Sequence, residues 1–263
     1  MEILACVKRV PDTVDAEVVL KSDGMGIEEE DLAFGINEWD NYAIEEAVRI
    51  KEASGGKVTV ATIGAEEDED ILRRCLAMGA DEAIRVDGAS FMGSDPYGIA
   101  RGLYHLVKCG SYDLVLAGAL AGDDGYSMVG PILAGYLQWP HATLVTSISF
   151  EGCKALVTRE LEGGVEELLR LELPAVLTIQ TGINEPRYVS IMGIRKVRSK
   201  EIPVLVPADL GLDPGSVGKD ANLLNMMGMA QPPAGKEAEM LQGTPAEVAE
   251  KILSIIREKG GVV

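Results

Sequence analysis

A glycine-rich segment, Gly118–Pro131, is the part of this sequence best suited to chemistry. It follows the apolar run Asp113–Ala117 and leads into the helical pattern Met128–Leu137, so it connects a strand to a helix. Glycines let backbone N–H groups converge on a ligand, and helix N-termini attract anions. Ser127 adds a hydroxyl at the helix start. The segment predicts an anion-binding turn without the Gly-Lys-Ser/Thr ending of a P-loop; a purely structural turn is the alternative.

Two shorter loops follow other predicted strands. The loop Cys6–Arg9 follows the apolar run Ile3–Val7, and Ile63–Ala65 ends the β-branched run Lys57–Ile63. Gly64 would let the backbone of the second loop approach a ligand closely. Open α/β sheets bind ligands beyond the carboxyl ends of their strands. We therefore expect the three loops to meet at one site.

The charge balance limits the classes of ligand and partner. The formal net charge of -18 argues against nucleic-acid binding, because a phosphate backbone needs a basic footprint. A bound phosphate would be held by backbone N–H groups and helix N-termini. The sequence has no run of roughly 20 apolar residues that could cross a membrane and no recognisable leader. We expect a cytoplasmic protein without direct membrane insertion.

Side chains that could catalyse a reaction are few and scattered. Asp123 and Asp124 are adjacent, but loop carboxylates more often cap a helix or bind a ribose hydroxyl than act as an acid–base pair. The soft metal ligands are spread along the chain: Cys6, Cys75, Cys109, Cys153, His105 and His141. A zinc or iron–sulfur site needs clustered ligands. The sequence therefore predicts neither a metal centre nor a catalytic set.

Strand and helix patterns alternate through the first two thirds of the chain and predict a largely parallel sheet covered by helices. The predicted strands are Ile3–Val7, Lys57–Ile63, Asp113–Ala117 and Ala175–Gln180, and the predicted helices are Asn41–Ala53, Glu67–Met78, Tyr97–Cys109 and Met128–Leu137. Glycine-containing breaks divide Ser147–Leu173 into an antiparallel hairpin region.

The C-terminal part has a different pattern. We predict a nucleotide-binding α/β domain over residues 1–208 and a C-terminal arm and helix over residues 209–263. Asp209–Gly243 has no sustained period, and Thr244–Lys259 has the capping residues of a helix N-terminus followed by an amphipathic pattern. The helix would dock on a partner subunit or pack on its own domain.

The segment Asn184–Lys200 combines apolar residues with a basic run on an acidic chain. An apolar tip formed by Ile191 and Met192 inside a basic ring suits docking to an acidic partner. The alternative is an amphipathic helix whose aliphatic face packs inward.

Several motifs together resemble the beta subunit of electron transfer flavoproteins. They are Val7–Asp12 (VKRVPD), Ala43–Arg49 (AIEEAVR), Leu76–Asp81 (LAMGAD), Arg159–Glu160 before Gly163–Gly164, Leu173–Val176 (LPAV) and Asn184–Tyr188 (NEPRY). The matches run in order over about four fifths of the chain, up to about residue 210. The resemblance implies an adenine-nucleotide alpha-hydrolase-like fold. It also implies an electron carrier, not an enzyme that acts alone.

The same resemblance implies the ligands. The family pairs this subunit with an alpha subunit that holds FAD, while the beta subunit binds AMP structurally; electron-bifurcating relatives hold a second FAD instead and oxidise NADH. The implied nucleotide contacts are Cys6, Asn37, Glu38, Trp39, Asp40, Ile63, Gly64, Gly118, Ala119, Leu120, Ala121, Gly122, Asp123, Asp124, Gly125, Tyr126, Ser127, Met128 and Val129. Many relatives carry an Asn-Gln-Thr-like set where this chain has Ser127-Met-Val, which favours AMP over a pyrophosphate. A stand-alone adenine-nucleotide-binding protein is a weaker alternative.

Partner contacts follow from the resemblance as well. The partner-recognition positions are Arg187, Tyr188, Ile191, Met192, Arg195 and Lys196. Thr13 falls near the alpha-subunit flavin, and Glu160 matches a carboxylate that pairs with an alpha-subunit arginine. The implied partners are the alpha subunit, donor dehydrogenases and a quinone-linked or other acceptor.

Overall fold

Eleven strands lie in the part of the chain that the structure describes. This computed structural model describes residues 1–14, 16–233, 235 and 238–260. The strands are β1 (Glu2–Cys6), β2 (Arg9–Pro11), β3 (Phe34–Ile36), β4 (Lys57–Gly64), β5 (Glu82–Asp87), β6 (Leu114–Gly118), β7 (His141–Glu151), β8 (Lys154–Leu161), β9 (Val165–Glu172), β10 (Ala175–Ile179) and β11 (Val204–Leu205).

Nine of these strands form one sheet in the order β11-β5-β4-β1-β6-β10-β7-β8-β9. The pairs from β11 to β7 are parallel, and β7–β8 and β8–β9 are antiparallel. The predicted α/β class with a largely parallel sheet and an antiparallel hairpin region is thus confirmed. Strands β2 and β3 form a small antiparallel ladder of their own.

Helices cover both faces of the sheet. They are α1 (Glu38–Ser54), α2 (Glu69–Met78), α3 (Pro96–Cys109), α4 (Val129–Leu137), α5 (Ile191–Val197) and α6 (Pro245–Glu258). Alternate side chains of a strand point to opposite faces. Ile3 and Ala5 of β1 therefore join the core under α1 and α2, whereas Leu4 and Cys6 join the core under α3 and α4.

The C-terminal segment is partly packed on this domain. Leu210, Leu212 and Val217 are buried in the core beneath α3. Helix α6 has no buried residue and is capped at Thr244, whose side chain and backbone exchange hydrogen bonds with Glu247. The division at residue 208 stays a prediction. Of the described residues, no helix is long and apolar enough to cross a membrane.

Candidate functional site

A cavity lies at the carboxyl ends of β1, β4 and β6, between the first turns of α3 and α4. The predicted residues in its wall are Cys6, Asn37, Asp40, Ile63, Gly118, Ala119, Leu120, Ala121, Asp124, Tyr126, Ser127, Met128 and Val129. Six other predicted contacts lie beside the wall and not in it: Glu38, Trp39, Gly64, Gly122, Asp123 and Gly125. The three predicted loops therefore meet at one site.

Asn37 fixes the glycine-rich loop between β6 and α4. Its Nδ2 donates to the Leu120 carbonyl oxygen (2.7 Å), and its Oδ1 accepts from the Gly122 N–H (3.0 Å). The side chain is almost fully buried. Both halves of the amide are thus used, so the start of α1 determines where the loop lies.

Asp40 connects the loop after β1 to the end of β6. One carboxylate oxygen accepts from the Lys8 N–H and the other from the Gly118 N–H, each at 2.8 Å. Burial raises the pKa of Asp40 to about 7, although these N–H groups act in the opposite direction. A Cβ added to Gly118 would lie 2.5 Å from the Asp40 carboxylate, so only glycine allows this approach.

The loop ends in backbone N–H groups that have no acceptor among the described residues. The Gly125 N–H donates to the Ala121 carbonyl oxygen (2.9 Å), and the Tyr126 N–H donates to Asp124 Oδ1 (3.0 Å). In the described chain, the N–H groups of residues 127–130 have no such partner. Gly125 and Ser127 both have positive φ, 64° and 54°, and such turns form concave anion sites. The predicted site is therefore shifted towards the first turn of α4.

Lys8 closes one side of this loop. Its Nζ contacts the carboxylates of Asp123 and Asp124 at 2.7 Å each. Burial opposes the lysine charge, but the two carboxylates raise the pKa of Lys8 above its ordinary value. Both aspartates hold a cation and so lack the free, paired geometry that acid–base catalysis needs.

Another part of the cavity wall is apolar. It is formed by the side chains of Cys6, Ile63, Ile99 and Leu103. Burial, with a smaller effect of Asp40, raises the pKa of the Cys6 thiol to about 12, so the thiol is neutral and unreactive at ordinary pH. This wall suits a flat, largely apolar group such as a nucleobase.

Sequence reasoning missed the wall contributed by residues 94–96, which join β5 to α3. Asp95 caps α3 by accepting from the Gly98 N–H (3.0 Å), so a carboxylate already occupies that helix N-terminus. An Asp-Pro pair at a helix start is a recognisable cap signal. Since α3 has a side-chain cap and α4 has none, the helix N-terminus with unpaired N–H groups in the described chain is that of α4.

The structure contains no metal site within its described residues, because no group of three or more His, Cys, Asp or Glu side chains could hold an ion there.

The predicted docking residues lie on and before α5, which packs against α2. Tyr188, Ile191 and Met192 are 90%, 71% and 68% exposed, so the alternative of an inward-facing aliphatic side does not apply to them. Arg195 and Lys196 are exposed and have no ion-pair partner among the described residues.

Arg187 differs from the other predicted docking residues. Its guanidinium pairs with Glu45 and Glu52 of α1 at 2.8 Å each. These two carboxylates, despite partial burial, raise the pKa of Arg187 above its ordinary value. The side chain therefore fixes the segment to α1, and its charge is already balanced.

Two further predicted contacts lie away from the cavity. Thr13 is exposed beyond β2. Glu160 is exposed near the end of β8, with one carboxylate oxygen 3.5 Å from Gln180 Nε2. Both side chains are thus at the surface of the described chain, and Glu160 has one long hydrogen bond to Gln180.

Comparison with known proteins gives the family. The sequence model of the family described as the electron transfer flavoprotein domain matches residues 24–210. The chain belongs to the electron transfer flavoprotein family, among its beta subunits. It is 38% identical to the electron transfer flavoprotein subunit beta of Methylophilus methylotrophus, covering 99% of this chain and 100% of the relative.

Two other relatives cover nearly the whole chain. The human electron transfer flavoprotein subunit beta is 35% identical, over 100% of this chain and 99% of its own length. The caffeyl-CoA reductase–Etf complex subunit CarD of Acetobacterium woodii is 36% identical, over 98% and 99%. The resemblance noted in the sequence is therefore confirmed, and the role of the chain is electron transfer.

Proposed function

We propose that this chain pairs with an alpha subunit that holds FAD, binds one AMP in its own cavity, and carries electrons from dehydrogenases to a further acceptor. The flavin supplies the redox chemistry when bound. This chain supplies a scaffold, a docking surface and part of the flavin surroundings. Thr13 and Glu160 are exposed on the surface, where they would contact the alpha subunit.

The nucleotide proposal rests on one feature: N–H groups at the start of α4 that have no partner among the described residues line the same cavity as a set of apolar side chains. The N–H groups of residues 127–130 would bind the phosphate, and Cys6 and Ile63 would contact the adenine. No general positive field is needed, because the helix N-terminus and the concave turn supply the positive potential. Lys8 Nζ is already shared by two carboxylates.

A second candidate is a bifurcating subunit with its own FAD. One relative is a subunit of a caffeyl-CoA reductase–Etf complex, so full-length similarity extends beyond the proteins named subunit beta. FAD contains an AMP moiety, and the same wall would hold that half of it. AMP is favoured because only Ser127 offers a hydroxyl at residues 127–129, which leaves few side-chain donors for a pyrophosphate.

Counting the nucleotides separates the two candidates. The purified two-chain complex is denatured, and the released FAD and AMP are quantified per heterodimer. We expect one of each. Two FAD without AMP would replace the AMP proposal with the bifurcating one.

A matched pair of variants tests the cavity itself. Gly125→Val places a β-branched residue at a φ of 64°, which is strained, so the loop should move and AMP should be lost. Gly163→Val is the control, since it has a similar φ of 79° with open space around it in the β8–β9 turn. Equal AMP content in both variants would show that the loop does not bind the nucleotide.

A further inference from the structure

The loop between β5 and α3 holds the C-terminal segment at the cavity wall. The Gly218 N–H donates to Ser94 Oγ (2.8 Å), and the Asp95 N–H donates to Asn222 Oδ1 (2.8 Å). Asn222 Nδ2 donates in turn to the Gly93 carbonyl oxygen (2.8 Å). Residues 218–222 are thus tied to the loop by side chains of both segments.

Asp95 makes the last and most buried of these contacts. Its Oδ2 accepts from the N–H groups of Leu223 (2.7 Å) and Leu224 (3.0 Å), while its Oδ1 caps α3 through Gly98. The residue is 5% exposed and lies in the cavity wall. Hydrogen bonds to a buried carboxylate are stronger than neutral ones and cost more to break.

Beyond Leu224, residues 225–230 are exposed. The next backbone hydrogen bond among the described residues joins the Met229 N–H to Gly24 O (2.7 Å). The side chains in between include Met227, which is 93% exposed. The hydrogen bonds that tie the arm to the β5–α3 loop therefore end at Leu224.

We propose that Asp95 is a positioning residue for subunit assembly: its carboxylate fixes the point and direction at which the C-terminal arm leaves the domain towards the alpha subunit. The proposal rests on the proposed function, because it requires an alpha subunit that receives the arm. Four hydrogen bonds of this one residue converge here, and three of them join the arm. A residue needed only to start α3 would require the cap alone.

The variant Asp95→Asn separates the two roles. Asparagine is as good an N-cap as aspartate, so its oxygen can keep the bond from Gly98. Its NH₂ group then faces the N–H groups of Leu223 and Leu224, and three donors meet without an acceptor. We expect faster hydrogen exchange of the Leu223 and Leu224 amides, unchanged exchange of the Gly98 amide, and about tenfold weaker binding to the alpha subunit.

Two further variants give the comparison. Asn222→Ala removes the hydrogen bonds of Asn222 to Asp95 and Gly93 and leaves the Asp95 carboxylate unaltered. Like Asp95→Asn, it should weaken binding to the alpha subunit. Asp213→Asn is the control, because Asp213 also caps a short turn in the C-terminal segment, through Gly215 (3.0 Å), but lies outside the cavity wall. It should bind the alpha subunit like the wild type.

The possible outcomes separate a failure of the Asp95 proposal from a failure of the proposed function. Wild-type exchange at Leu223 and Leu224 and wild-type binding in Asp95→Asn would overturn the role of Asp95. Faster exchange at Gly98 together with a lower melting temperature would also overturn it, since the residue would then only hold the helix. A wild-type chain that does not bind the alpha subunit at all would instead overturn the proposed function.

Discussion

At the scale of single residues, the cavity depends on two buried polar side chains that hold its loops in place. Asn37 and Asp40 belong to the start of α1 and hold the loops that follow β1 and β6. Asn37 pairs with one carbonyl and one N–H group, and Asp40 accepts from two N–H groups; each such hydrogen bond contributes roughly 0.5–3 kcal/mol. The loop geometry is therefore set before any nucleotide arrives.

Asp40 should make the stability of the isolated chain depend on pH. Its folded-state pKa of about 7 lies above the ordinary value of 3.8, so between these values the folded state binds more protons than the unfolded state. This group then lowers the free energy of unfolding as pH rises from 4 to 7, by up to about 1.4 kcal/mol per pH unit. Asp40→Asn removes this contribution.

Urea unfolding of both proteins at several pH values measures the effect. The difference in free energy of unfolding should shift in favour of Asp40→Asn as pH rises through the window, whatever its absolute size. A difference that stays constant would mean that the N–H donors of Lys8 and Gly118 keep the carboxylate charged throughout.

The sequence predicted some of these residues and not others for clear reasons. Glycines between a strand and a helix are a local signal, so the loop after β6 could be found from the chain alone. The contacts of Asn37 with Leu120 and Gly122 join residues more than 80 positions apart, and only the family resemblance pointed to Asn37. No local pattern reports such a contact.

At the scale of elements, β5 shows the limit of reading hydrophobic patterns. The strand contains Arg85, a buried residue that forms a salt bridge with Glu69 of α2. This charged residue interrupts the apolar run by which the strand would be recognised. The antiparallel strands β7–β9 were predicted because glycine turns mark their ends.

The segment around α5 supports a prediction about docking. Ile191→Ala removes an exposed aliphatic side chain within a basic segment, so the fold should be unaffected. Truncation of an interface anchor costs about 2 kcal/mol or more, which is roughly a 30-fold loss of affinity. Electron transfer from the physiological dehydrogenase should slow accordingly at limiting carrier concentration, while heterodimer assembly, flavin content and reduction by dithionite stay unchanged.

Leu168→Ala is the matched control for this substitution, since Leu168 is an aliphatic residue on β9 that is 81% exposed. It should leave the transfer rate as in the wild type. Replacing Arg195 and Lys196 should mainly lower the association rate and its salt dependence. Release of AMP or unfolding by Ile191→Ala would show that the side chain stabilises the domain, and an unchanged rate would remove α5 from the docking surface.

At the scale of the whole molecule, the described C-terminal residues expose apolar side chains that the domain itself does not cover. On α6, Ile252 and Ile256 are 44% and 39% exposed, and Met227 of the arm is 93% exposed. Monomeric proteins rarely leave large contiguous apolar patches in water. An amphipathic helix without buried residues is therefore best explained by a partner surface, which is the role that we propose for the alpha subunit.

The last prediction concerns this chain alone and in complex. Expressed alone, it should self-associate through its exposed apolar residues; co-expressed with an alpha subunit, it should give a yellow 1:1 complex with a higher melting temperature. Light scattering on a sizing column, with absorbance spectra, measures both. Ile256→Glu should make the isolated chain less prone to association and weaken the complex, because one apolar face would serve both contacts. A monodisperse monomer whose size and melting do not change when the alpha subunit is added would contradict the proposal, since the arm and α6 would then need no partner.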